Sequence, residues 1–93
     1  LSYSIFSDME LENTDFVNCR IHGCDFVNTN LKNADFEESD LEDSIFKSTN
    51  LSYTSFKNAK NYGIDPTDNF LKKTKFSVPE VISLLSIYDI ELV

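Results

Sequence analysis

The sequence predicts an all-β solenoid, in which short extended segments wind into stacked coils around a narrow apolar core. A large apolar residue recurs at every fifth position from Leu1 to Phe56 without a missed step. That period matches neither an α-helix, at about 3.6 residues, nor a β-strand, at about two. A short amphipathic segment after Phe76 also predicts a C-terminal helix at one end of the solenoid.

Length and charge restrict the classes of function. The chain has 93 residues, which fits one domain, and a net charge of −8. An acidic domain repels nucleic acid and anionic membranes, so we expect neither to bind directly. No apolar run approaches about 18 residues and no signal peptide is visible, which predicts a cytoplasmic protein without a membrane span.

The repeating unit reads small, polar, large apolar, polar, polar. The small residue stands two positions before the large one, as Ala34 does before Phe36. Leu or Ile alternates with Phe at the large position, so the full pattern repeats every ten residues. The predicted structural core is Phe6, Leu11, Phe16, Ile21, Phe26, Leu31, Phe36, Leu41, Phe46, Leu51 and Phe56.

This unit forms a core if each one is a short extended side that ends in a bend. The small and the large residue then point inward, and the other three residues point outward. Stacked coils satisfy the backbone groups that burial would otherwise leave unpaired. Each buried Phe or Leu contributes roughly 1.5–3 kcal/mol. The alternation of Leu and Phe favours an even number of sides per coil without fixing the number.

The segments Leu31–Phe36 and Ser39–Leu41 resemble the pentapeptide-repeat family, whose signature is A(D/N)LXX. The resemblance covers residues 1–60 in unbroken phase. It implies a right-handed, quadrilateral β-helix with twenty residues per coil. The motif then breaks and resumes in the same frame at Leu71 and Phe76, which predicts an irregular last coil over residues 61–76.

The predicted solenoid of about four coils, residues 1–76, is followed by a C-terminal segment, residues 77–93. Ser77 as N-cap and Pro79 in the first turn predict a capping α-helix of about 78–88. This helix either covers the open end of the coils or joins two subunits. The second alternative is implied by resemblance to the quinolone-resistance members of the family. The residues assigned to this cap or dimer interface are Val81, Leu84, Leu85, Tyr88, Ile90 and Leu92.

No set of residues predicts catalysis, a cofactor or a metal. His22 is the one histidine; it follows an inward Ile and is predicted to point outward beside Glu42. Cys19 and Cys24 occupy small inward positions and lack the further ligands that zinc requires. Their oxidation state stays open. No Gly-rich phosphate loop and no Ser/His/Asp set occurs, so we expect a protein that is not an enzyme.

The strongest charge signal is a run of acids within nine residues, with no base among them. At a corner of the solenoid these side chains form a compact patch, which is either a solvated face or a partner-binding surface. The residues are Asp35, Glu37, Glu38, Asp40, Glu42 and Asp43.

Two functions follow from these features. The first is a non-catalytic protein-interaction or scaffold module, since solenoids offer rigid outer faces; its partner is not named by the sequence. The alternative is implied by the resemblance: some family members are acidic DNA mimics that bind DNA gyrase or related topoisomerases in bacteria and give quinolone protection. An enzyme-associated domain is a third hypothesis.

Overall fold

The chain folds into a rod measuring 39 × 24 × 24 Å. The structure, a computed structural model, describes residues 2–88 and residue 90, without the side chains of residues 86 and 87. Most of the rod consists of stacked coils whose backbone segments run parallel to one another. This arrangement is an all-β solenoid.

Neighbouring coils are joined by parallel bridges between residues twenty positions apart. Because the bridges repeat, outward side chains line up in columns along the rod. The bridged columns are Ile5–Asp25–Ile45, Glu10–Asn30–Asn50–Phe70, Asp15–Asp35–Ser55–Lys75 and Arg20–Asp40–Lys60.

Four two-residue strands occur in the described part of the chain. They are β1 (Ile45–Phe46), β2 (Ser55–Phe56), β3 (Gly63–Ile64) and β4 (Lys75–Phe76). Strand β1 pairs with β3 and β2 pairs with β4, both in parallel. Elsewhere the extended segments are so short that each contributes a single bridge.

Asparagine is the most frequent residue at the bends between sides. A residue with positive φ occurs at every fifth position from Tyr3 to Asn58, and the asparagines among them have φ between 53° and 60°. Asparagine tolerates this left-handed conformation better than other residues with a Cβ atom. Asparagine therefore takes the place of glycine at five of these twelve bends, and bridged residues lie twenty positions apart.

Two stacks of phenylalanine rings run through the centre of the rod. Rings one coil apart are parallel, with centroids 4.8 Å apart for Phe16 and Phe36 and 5.2 Å apart for Phe36 and Phe56. Rings of different stacks meet edge to face, as Phe36 and Phe46 do at 5.9 Å. Both geometries are favourable for aromatic pairs.

Most of the predicted core residues are buried, but Phe6 and Leu11 are only partly buried. They belong to the first coil, where described neighbours cover them from one side only. The buried members are Phe16, Ile21, Phe26, Leu31, Phe36, Leu41, Phe46, Leu51 and Phe56.

The small inward position is often a hydroxyl residue, and its oxygen is hydrogen-bonded. Ser44 Oγ donates to Ile21 O at 2.6 Å, and Thr54 Oγ1 donates to Leu31 O at 2.7 Å. Ser44 Oγ also accepts a hydrogen bond from Cys24 N at 3.1 Å. These bonds offset the desolvation of a buried hydroxyl, and they join adjacent coils within the core.

The last coil departs from the twenty-residue register and then returns to it. Ile45 pairs with Gly63, eighteen positions away, whereas Asn50 pairs with Phe70, twenty positions away. The chain is thus two residues short before Gly63 and regains them around Asp65. Asp65 Oδ1 accepts hydrogen bonds from both the N–H and the hydroxyl of Thr67 in this bulge.

Two residues fill the places that the repeat leaves empty in this coil. Tyr62 is buried beside Phe56 and Phe76, with centroids 5.7 and 5.5 Å away. Burial raises the pKa of its hydroxyl to about 12, and the Glu80 carboxylate adds to this shift. Asn69 replaces the usual hydroxyl residue, since its Nδ2 donates to a core carbonyl at 3.0 Å. Ile64 is also buried in this coil.

The C-terminal helix is a 3₁₀-helix, Glu80–Tyr88, and not the expected α-helix. At about three residues per turn, positions i and i+3 share a face. Val81 accordingly packs on the core and Leu84 is buried. Leu85 and Tyr88 were assigned to the same face from α-helical spacing; in the structure both are exposed.

Two further residues, Ile90 and Leu92, were assigned to the cap or dimer interface. Ile90 is exposed, and Leu92 lies outside the described residues. Ser77 is not the N-cap of the helix, because its Oγ accepts a hydrogen bond from Asn58 N at 2.9 Å. In the regular coils that N–H would bond to a main-chain carbonyl, as Glu38 N does to Lys57 O.

Replacing Phe36 by alanine should lower the free energy of unfolding by about 3–5 kcal/mol, because the ring is fully buried between two stacked neighbours. Phe6→Ala is the matched control, since Phe6 has the same position in the repeat but is partly exposed. Urea unfolding of both variants measures the difference. Equal losses of unfolding free energy in the two variants would contradict a core whose packing is tightest in the middle of the rod.

Candidate interaction surface

The acidic residues identified from the sequence surround one side of the solenoid. This side comprises residues 18–23, 38–43 and 58–61, and we call it the His22 side. Its bridged column is Arg20, Asp40 and Lys60. Glu38 and Asp43 lie at the two corners that bound it, each with φ of 61°.

Two of the acids serve the backbone. Asp35 Oδ1 accepts a hydrogen bond from Glu37 N at 2.9 Å, and Asp40 Oδ1 accepts one from Glu42 N at 3.3 Å. The same bond forms elsewhere in the repeat, for example from Val27 N to an aspartate two residues earlier. The polar residue before each large apolar residue therefore fixes the following turn.

The remaining acids differ in exposure. Glu37 is half-buried, whereas Glu38, Glu42 and Asp43 are exposed. The structure thus reduces the predicted patch to three freely presented carboxylates, which we call the acidic trio. The sequence held a signal for this division, because Asp35 and Asp40 occupy the D/N position of the repeat.

His22 lies nearest to Asp40 on this side. His22 Nε2 is 3.0 Å from Asp40 Oδ2, and both side chains are largely buried, with 25% and 20% of their surface exposed. The twenty-residue register places His22 over Glu42, as expected from the sequence. It does not reveal that the ring leans diagonally towards Asp40, and sequence reasoning missed this contact.

The carboxyl group of Asp40 is strongly stabilised in its charged form. The Asn61 amide donates to Asp40 Oδ1 at 2.9 Å. This bond, followed by the interaction with His22, lowers the pKa of Asp40 to about 2, while burial acts in the opposite direction. Asp40 therefore keeps its negative charge at any ordinary pH.

The two cysteines lie at the edge of the core near this side. Cys24 is buried, Cys19 is half-buried, and both are free thiols. Ser39 Oγ accepts a hydrogen bond from Cys19 N at 2.9 Å. Both residues thus fill the small inward position, as the sequence predicts.

A polar groove on the opposite side was not found from the sequence. It encloses about 330 Å³ between the stacked residues of columns 8–28–48 and 10–30–50. Its side chains are bonded to each other, with Asn28 Nδ2 donating to Asp8 Oδ1 at 2.7 Å and Asn30 Nδ2 to Glu10 Oε2 at 2.8 Å. Phe70, 67% exposed, closes one end.

Twenty-residue coils, five-residue bends and inward Leu and Phe define a pentapeptide solenoid. The chain belongs to the pentapeptide repeats family, whose sequence model matches eight copies over residues 1–33 and 24–60. The resemblance noted in the sequence is therefore confirmed. No curated protein matches the chain by sequence. Among the residues that the structure describes, no helix is long and apolar enough to cross a membrane.

Solved structures show the same fold. Full-length QnrB1, a plasmid-mediated fluoroquinolone resistance protein, superposes with a TM-score of 0.81 at 19% sequence identity, over 97% of this chain and 42% of QnrB1. Rfr23, a pentapeptide repeat protein of the cyanobacterium Cyanothece 51142, gives 0.55 at 14% identity, over 84% of this chain and 60% of Rfr23. The chain spans less than half the length of QnrB1.

The lowered pKa of Asp40 predicts a specific loss of stability in acid. A group whose pKa falls on folding stabilises the protein above its unfolded value, 3.8, and this contribution is lost as the pH falls towards about 2. Asp40→Asn should therefore destabilise the protein at neutral pH by about 1 kcal/mol, as expected for a pair that solvent partly screens. The difference in the free energy of unfolding between Asp40→Asn and wild type should disappear as the pH falls from 4 to 2.

Urea unfolding at several pH values measures this gap. Asp35→Asn is the matched control. Asp35 accepts the equivalent hydrogen bond from Glu37 N, but the one histidine of the chain lies beside Asp40 and not beside Asp35. A gap between Asp40→Asn and wild type that stays constant down to pH 2 would contradict the assignment.

Proposed function

We propose that this chain is a non-catalytic protein-interaction module that binds its partner through the outer surface of a right-handed, four-sided β-helix. The observation that carries the proposal is the fixed exterior. Outward residues lie in columns held by bridges at every twentieth residue. Adjacent residues of a column are thus about 4.8 Å apart, the spacing of paired strands. Such a surface presents charge in a rigid pattern, without ordering losses on binding.

The acidic trio on the His22 side is the proposed contact. Glu38, Glu42 and Asp43 are exposed, and the two corner residues hold their backbone at φ of 61°. With a net charge of −8, the chain attracts a basic protein surface and accelerates its encounter. Catalysis has no support on this surface, since Asp35 and Asp40 are committed to turn hydrogen bonds.

Neutralising the trio by Glu38→Gln, Glu42→Gln and Asp43→Asn should abolish capture of partners from a native lysate. The matched control is Asp8→Asn, Glu10→Gln and Glu12→Gln, which removes the same charge from the opposite side and keeps the side-chain acceptors that Asn28 and Asn30 use. The buffer contains EDTA to exclude effects of metal ions. Equal capture by wild type and the trio variant would refute the site.

A second candidate is an acidic DNA mimic that binds a type II topoisomerase such as DNA gyrase. It is favoured by the superposition on QnrB1, a fluoroquinolone resistance protein, with a TM-score of 0.81. The exposed apolar side chains of Leu85, Tyr88 and Ile90 support a contact between two copies, which would lengthen the negative rod. Their exposure follows from the 3₁₀ geometry of the cap.

If this second function holds, micromolar protein should inhibit gyrase supercoiling or protect it from ciprofloxacin. The absence of both effects would reject it. Light scattering on the chain and on a form truncated after Tyr88 tests the accompanying dimer. If both forms have the mass of a monomer, the contact between two copies is excluded.

A further inference from the structure

Three potential ligand groups converge on the His22 side. The side chains of His22, Asp40 and Glu42 each offer one donor atom, and these atoms lie within 4.8 Å of one another. Two of the side chains are half-buried and Glu42 is exposed, so the cluster opens to solvent on one side only. The cluster spans two coils, because Glu42 stacks on the position of His22.

The imidazole nitrogen of His22 lacks a satisfying partner. Nε2 is sealed from solvent and makes no aligned hydrogen bond, although Asp40 Oδ2 lies only 3.0 Å away. The carboxylate is therefore beside the nitrogen and off the axis of its lone pair or proton. A buried nitrogen held only by a misaligned ion pair is incompletely satisfied, and a third atom bound to both side chains would complete it.

A shared metal ion is compatible with this geometry after a small movement of the two side chains. Two ligands that each lie about 2.0–2.2 Å from one tetrahedral zinc ion are separated from each other by about 3.3–3.6 Å. The His22 Nε2 to Asp40 Oδ2 distance of 3.0 Å is shorter than that, so the two atoms would move apart by a few tenths of an ångström when the ion binds. The ion would lie on the lone-pair axis of Nε2, which explains why the carboxylate does not.

A neighbouring hydrogen bond prepares the aspartate for this role. The Asn61 amide and the Glu42 N–H both donate to Asp40 Oδ1, at 2.9 and 3.3 Å. They hold the carboxyl group so that Oδ2 faces His22. Such outer hydrogen bonds orient metal ligands in many proteins.

We propose that His22 Nε2, Asp40 Oδ2 and the Glu42 carboxylate bind a zinc ion, with water in the fourth position. One imidazole and two carboxylates suit zinc and similar transition ions, whereas magnesium and calcium prefer sets of oxygen ligands. The net charge of −8 attracts a cation. Arg20 and Lys60 share the column of Asp40, and their positive charges lower the affinity for a cation.

The proposed ion joins adjacent coils, since His22 belongs to one coil and Asp40 and Glu42 belong to the next. A ligand that binds only the folded state stabilises that state by mass action. Zinc should therefore raise the melting temperature of the wild-type chain, and the increase should grow with zinc concentration.

Zinc titration by isothermal calorimetry tests the site. The protein carries Cys19→Ala and Cys24→Ala to remove competing thiols; alanine already fills the equivalent inward position at Ala34 and Ala59. After EDTA stripping, we expect one zinc per chain. His22→Asn and Glu42→Gln should each weaken binding by about tenfold or more. Glu37→Gln, the same repeat position without a histidine nearby, should leave binding unchanged.

Cobalt substitution gives an independent readout that does not require the variants to fold equally. Cobalt bound to the folded chain should show visible d–d absorption that zinc displaces. The proposal is overturned if no such absorption occurs, if His22→Asn binds zinc as tightly as its parent, or if Glu37→Gln weakens binding as much as Glu42→Gln. The last result would indicate diffuse attraction by acidic groups.

Discussion

Backbone hydrogen bonds between residues about one coil apart hold every other feature of this protein in place. Asp40 N donates to Cys19 O at 2.9 Å, and Leu41 N donates to Lys60 O at 3.0 Å, so one segment is fixed from both sides. Buried peptide groups must be paired, and here the pairing also dictates the neighbours of each side chain. The position of a residue within twenty therefore decides whether it stacks, turns or faces solvent.

Polar residues contribute to this architecture as much as the apolar core. Asparagine makes many of the left-handed bends, aspartate accepts the N–H two residues later, and serine or threonine ties the core to the next coil. Acidity alone is consequently a poor guide to function in such a repeat. Asp35 and Asp40 look equivalent to Glu38 in a charge profile, yet one oxygen of each aspartate already accepts a turn hydrogen bond.

The five-residue period was sufficient to predict the inward residues and the stacked coils, because that period leaves no helix or flat strand able to bury them. The details that it missed depend on contacts without a periodic signal. Tyr62 and Asn69 fill the last coil, which falls short of the twenty-residue register before Gly63 and then regains it. The cap is a 3₁₀-helix, so Leu85 and Tyr88 are exposed and do not share the buried face that α-helical spacing gave them. The orientation of the His22 ring towards Asp40 depends on its side-chain rotamer, which the repeat pattern does not specify.

Glu42 belongs both to the acidic trio and to the proposed zinc site, and this overlap determines how the two activities are separated. A bound ion would remove one of three exposed charges, so zinc and a basic partner compete for the same carboxylate. His22→Asn removes a ligand of the ion and leaves the three carboxylates of the trio in place, because the imidazole lies outside the trio. Glu38→Gln and Asp43→Asn affect only the partner, because neither residue is in the cluster. If zinc weakens partner binding in wild type but not in His22→Asn, both activities share this side of the rod.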